Sequence, residues 1–170
     1  MSSTTEKPGS GFWLKAGEGD ATWFMGQLAT VKMGSDDTQG RCAMLEFVTP
    51  AGGGSPYHVH RNEDESFYVL EGEMTFYVGD AVIEAQTGSF AFGPRNVPHT
   101  FVVGPHGPAR YLLFTEPGGF EQFVAEVGEP AAARTLPPPP AGPPNFAVIG
   151  AIAAKHGIEI LGPPGPPTSK

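Results

Sequence analysis

From Gln27 to Thr115 the chain is built of short β-type runs, each cut off by glycine, proline, asparagine or aspartate. The runs are rich in Val, Phe, Tyr and Thr, which fit a pleated, half-buried surface. They fall at residues 27–32, 42–48, 66–70, 74–78, 81–85, 89–92, 99–103 and 110–115. Glu71-Gly72 and Gly79-Asp80 lie between successive runs and predict two tight hairpins. Many short strands at this spacing predict an all-β sandwich or barrel, not a helical or parallel α/β fold.

Helical signals come only after the strands. Phe120, Phe123, Val124 and Val127 share one helix face, and Gly128 is placed to end that helix as a left-handed residue. A second helix is expected to start at Asn145 as N-cap and to end at Gly157, with Lys155 and His156 at its negative end. Prolines concentrate late as well: most of the 19 lie from Pro130 onward, including the run Pro137 to Pro140. The expected organisation is a loose leader over 1–10, a compact β region over 11–116 and a helical, Pro-rich appendage over 117–170.

Composition removes several functional classes. Ten Lys and Arg against 18 Asp and Glu give a net charge of -8, which provides no electrostatic footprint for nucleic acid or for an anionic membrane. The single Cys42 cannot form an internal disulfide; it is read as core packing, in a reducing compartment. The first ten residues are polar, and the apolar stretch 146–154 is too short to span a bilayer, so a cytoplasmic protein is expected.

The chemistry lies in the histidines. His58 and His60 are two apart, so on a strand both imidazoles point to one face. Residues 61–64 turn the chain and Glu65 opens the next run, with Phe67 and Val69 pointing the same way. With His99, this gives three imidazoles and one carboxylate, a donor set suited to a divalent first-row metal. No sulfur ligand fits the pattern, which excludes Fe–S and structural Cys-zinc sites. Glu63 and Asp64 read as a solvated turn, His106 as a solvated loop residue, and Trp13 and Trp23 as packing.

Gly52-x5-His58-x-His60-x4-Glu65-x6-Gly72 resembles the first motif of the cupin family at every position. Gly88-x5-Pro94-x-Asn96-x2-His99 resembles the second, with Asn96 where the family pattern has Gly and Val103 where it has Asn. Asn is the residue other than Gly that best tolerates positive φ, so the first departure is mild. The resemblance implies a double-stranded β-helix (jelly-roll) barrel and His58, His60, Glu65 and His99 as ligands of one divalent transition metal per chain. Iron, manganese, cobalt, nickel and copper all suit such ligation.

The run Gly118-Gly119-Phe120-Glu121 into a helix, and the later Ile158-Glu159-Ile160-Leu161-Gly162-Pro163-Pro164, look like the bacterial quercetin dioxygenases. That likeness implies O2-dependent cleavage of a flavonol with loss of carbon monoxide, with Glu65 as both ligand and base. The expected partners are a small aromatic substrate and O2, with a homodimer as the assembly. Phe67, Phe76, Phe101 and Phe114 are the candidate substrate-binding residues. A sugar phosphate or dicarboxylate would need basic residues near the metal, and only Arg61 and Arg95 flank the ligand segments. Two alternatives remain: a metal-dependent cupin isomerase or cyclase that needs no O2, and a binding cupin without catalysis.

Overall fold

In the computed structural model, residues 11–140 and 142–166 are described. The leader expected at 1–10 lies outside them. Twelve strands and three helices follow in order. They are β1 (Asp20–Phe24), β2 (Gln27–Met33), α1 (Ser35–Thr38), β3 (Ala43–Thr49), β4 (Tyr57–His60), β5 (Asp64–Glu71), β6 (Glu73–Val78) and β7 (Ala81–Gln86). Then come β8 (Phe90–Gly93), β9 (His99–Val103), β10 (Ala109–Glu116), α2 (Phe120–Val127), β11 (Glu129–Pro130), α3 (Phe146–Lys155) and β12 (Ile158–Gly162). Among the described residues no helix is long and apolar enough to cross a membrane.

The strands make two antiparallel sheets. One runs β11-β1-β2-β3-β10-β5-β8 and the other β12-β4-β9-β6-β7. From β3 to β10 every connection except β6–β7 crosses between the sheets, which is how a jelly-roll barrel winds. Alternation sets the inside. Ala43, Leu45, Phe47 and Thr49 of β3 are buried, as are Glu65, Phe67 and Val69 of β5 and Tyr111, Leu113 and Thr115 of β10. Burying each large apolar side chain among them contributes about 1.5–3 kcal/mol before conformational entropy is subtracted.

Three local expectations change. Gly79-Asp80 does close a hairpin, with Val78 opposite Ala81. Glu71-Gly72 does not: β5 and β6 belong to different sheets, and Gly72 carries the chain across. It does so at φ +87°, where an added Cβ would lie 2.8 Å from the Pro108 carbonyl oxygen. Gly128 ends α2 in an extended conformation, φ -87°, rather than a left-handed one. It is needed for close approach instead, since a Cβ there would come within 2.7 Å of the Trp23 carbonyl oxygen. Trp13 does not pack; it is 74% exposed.

The C-terminal helices form where the sequence places them. Asn145 caps α3, its Oδ1 accepting from the Val148 amide at 3.2 Å. Gly157 leaves that helix at φ +72°. The segment after it has no counterpart in the strand reading: β12 returns to the smaller sheet and pairs with β4, setting Ile158 opposite His60 and Ile160 opposite His58. Phe120, Phe123 and Val124 of α2 are buried, turned toward the barrel end that holds these histidines.

Gly72→Ala is expected to lower stability by more than Gly88→Ala. Both glycines have positive φ, but only Gly72 is crowded by backbone atoms. Strain alone costs about 1–2 kcal/mol, and the clash at Gly72 adds to it. Equal midpoints in chemical denaturation would contradict this account of the crossing.

Candidate metal centre

Both sheets contribute to one cluster. His58 and His60 come from β4, His99 opposite His58 on β9, and Glu65 from the start of β5. Asn96 fixes the approach to His99: its amide donates to the His60 carbonyl at 2.7 Å, with its own φ at +65°. The positive φ expected of Asn96 is therefore present. The ligand atoms of the four side chains all lie within 4.8 Å of one another.

The imidazoles are oriented by what their outer nitrogens meet. His58 Nδ1 lies 2.6 Å from the Pro56 carbonyl oxygen, and His99 Nδ1 lies 2.9 Å from that of Val97. With Nδ1 as the donor, His58 Nε2 is left bare and points inward, and His99 Nε2 points inward onto Glu65 Oε2. His60 Nδ1 has a carboxylate beside it, Glu63 Oε1 at 3.0 Å, placed off the straight line of a hydrogen bond. Glu63 was expected in a solvated turn but is buried. The reason is this histidine: a buried carboxylate needs a donor, and His60 is the one in reach.

The inner nitrogens crowd. His58 Nε2 and His60 Nε2 are 3.0 Å apart, and Glu65 Oε2 lies 2.7, 3.4 and 3.9 Å from the Nε2 atoms of His99, His60 and His58. Donors bound about 2.1 Å from a shared ion sit about 3 Å apart when adjacent. The spacing therefore fits one divalent ion, and the donor set suits a first-row metal. Bare nitrogens facing each other at this range repel, and a cation between them removes the repulsion.

The titration behaviour follows the same crowding. Burial, with His60 and His99 nearby, pushes His58 down to about 3, so it stays neutral. Burial alone would raise Glu65, but His60 and the His99 hydrogen bond outweigh it and hold the carboxyl at about 2. Burial also works to lower His60, yet Glu65 and Glu63 together move it up. A proton on His60 is thus the competitor that a metal ion must displace.

A cavity opens from this cluster. The enclosed part is about 60 Å3, and the half-buried lining residues Met25, Ser55, Pro56, His58 and Ile160 mark its mouth. Glu65 is its only acidic lining residue, and no Lys or Arg lines it. Arg61 pairs with Glu159 at 2.7 Å and Arg95 with Asp64 at 2.6 Å, both on the surface. Of the four candidate substrate residues, Phe67 and Phe101 line the cavity. Phe76 is packed behind them in the core, 5.0 Å from the Phe67 ring centre. Phe114 does not reach the interior: it alternates with the buried Leu113 and Thr115 and faces out of the sheet. Phe24, Phe120 and Phe123 are lining residues the motif reading did not select. The amphipathic face of α2 was their signal; Phe24 gave none, since only the fold brings β1 to α2.

A family model described as a cupin domain matches residues 45–115. The barrel is a cupin domain. The chain is 28% identical over 139 residues to the quercetin 2,3-dioxygenase of Bacillus subtilis (strain 168), across 81% of this chain. It spans only 41% of that relative's length. Among solved structures, an RmlC-like cupin from Shewanella frigidimarina is 19% identical, with a TM-score of 0.57 over 68% of this chain and 97% of the other. The polyketide cyclase RemF from Streptomyces resistomycificus is 30% identical, with a TM-score of 0.48 over 58% of this chain and 68% of the other.

Two results are expected of this cupin site. Apparent affinity for added Ni2+ or Co2+ rises as pH rises through and above the ordinary histidine range, as the ion displaces the proton that His60 holds. Calorimetry in buffers of different ionisation enthalpy measures the proton release; a flat profile would contradict the competition. Glu63→Ala weakens metal affinity by about 10–100-fold with the barrel intact by circular dichroism.

Proposed function

We propose that the protein is a metal-dependent dioxygenase that cleaves a flavonol of the quercetin type with O2 and releases carbon monoxide. The observation that carries this reading is a cavity walled by aromatic rings, without a basic lining residue, that ends on a buried three-histidine, one-glutamate cluster. A flat, uncharged aromatic substrate suits such walls; a phosphate or dicarboxylate would meet no cation. Similarity to the Bacillus quercetin dioxygenase supports the same reading.

His58, His60, Glu65 and His99 would hold the divalent ion, which supplies Lewis acidity toward the substrate oxygen and a site for O2. Glu65 has a second role. It is buried at the floor of the cavity, placed to take the flavonol 3-hydroxyl proton as that oxygen approaches the cluster. Phe67, Phe101 and Phe120 hold the rings and keep water out, and Phe120 also packs edge-on against His60 with ring centres 5.6 Å apart.

The test is to purify the protein with its own metal, quantify that metal, and add quercetin in air. Loss of flavonol absorbance with carbon monoxide release is expected, and neither should occur in His99→Ala or under anaerobic conditions. Glu65→Gln is expected to lower turnover by about 100–10,000-fold. Turnover without O2 would replace this reading with an isomerase or cyclase. No reaction after reconstitution with each candidate ion would replace it with another substrate or with binding alone.

A further inference from the structure

At the far end of the cavity from the metal cluster lies a small polar group that the metal chemistry does not use. Gln27 at the start of β2 is 4% exposed. Its Oε1 accepts from the hydroxyls of Thr49, at 2.5 Å, and Tyr111, at 3.2 Å. The two hydroxyl oxygens are 3.3 Å apart. This fixes the amide. Turned the other way, the amide nitrogen would donate to both hydroxyls, and their two hydrogens would have only each other's oxygens to meet. The observed orientation satisfies both.

The same orientation leaves Nε2 with two N–H groups and no acceptor among the described residues. Gln27 and Tyr111 both line the cavity. Tyr111 is four residues before Thr115 on β10, and Thr115 pairs with Glu65, so the Tyr111 Cα is set about 13 Å along the strand from the metal end. Between the two ends the walls are Phe47, Phe67, Phe101 and Leu113.

We propose that Gln27, held by Thr49 and Tyr111, is a specificity-determining residue whose amide N–H groups bind an oxygen on the outer ring of the substrate. The proposal rests on the flavonol reading and narrows it. The substrate would carry a metal-binding oxygen at one end and a phenolic or carbonyl oxygen at the other, with apolar rings between. An unmet donor in an apolar cavity favours a ligand that supplies the acceptor and disfavours one that lacks it.

The experiment compares quercetin, hydroxylated on both outer ring systems, with 3-hydroxyflavone, which lacks those hydroxyls. KM and kcat are measured for wild type and for Gln27→Met, which keeps the length and loses the donor. The expected result is a rise in KM for quercetin of about 10-fold, with 3-hydroxyflavone changed less than about 2-fold and kcat and metal content kept. Equal shifts for both flavonols, or none, would overturn the assignment of Gln27 and leave the flavonol reading standing. Wild-type protein that turns over neither flavonol would overturn both. Should Gln27→Met fail to fold because Thr49 and Tyr111 lose their acceptor, Gln27→Met combined with Thr49→Val and Tyr111→Phe removes those hydroxyls as well, and the same selective loss is expected.

Discussion

Four donor atoms forced into one small, buried space are the constraint that organises this molecule. Three imidazoles and one carboxylate turned inward at this range are stabilised by a positive charge between them. The barrel supports this arrangement from outside. Backbone carbonyls of Pro56 and Val97 hold two rings, and a buried carboxylate, Glu63, stands beside the third. The two kinds of support differ chemically: a carbonyl orients a ring, whereas a carboxylate also makes it a stronger electron donor. His60 therefore differs from its two neighbours in its support as well as in position.

The cavity above the cluster is asymmetric in the same sense. It meets the candidate metal cluster, its walls are largely aromatic, and Gln27 and Tyr111 add a polar group to its lining, backed by Thr49. The basic residues that flank the ligand segments are taken up in surface pairs, Arg61 with Glu159 and Arg95 with Asp64. The protein's negative charge therefore does not conflict with an apolar binding site.

Much of the fold can be read from local pattern. The alternation in β3, β5 and β10 announces its buried face, and the cap at Asn145 and the exit at Gly157 mark the ends of α3. The errors have a common cause. Glu71-Gly72 has the composition of a hairpin, but which strand pairs with which is a long-range matter, and here the chain changes sheets. Glu63 looks solvated because turn residues are polar; burial of its carboxylate depends on a histidine that the turn folds back upon. Phe114 is one residue from a cavity-lining neighbour, and that single step along a strand reverses its direction.

The sequence by itself determined the strand character, the sheet-forming alternation and the set of candidate metal ligands, because spacing of two along a strand and a fixed turn length dictate which side chains share a face. Only the tertiary structure decided that β12 lies beside the ligand strand, that α2 and β1 wall the cavity, and that Gln27 meets Tyr111 across 84 positions of sequence. Those contacts come from burial, which acts without regard to distance along the chain and leaves no periodic trace in the residues it joins.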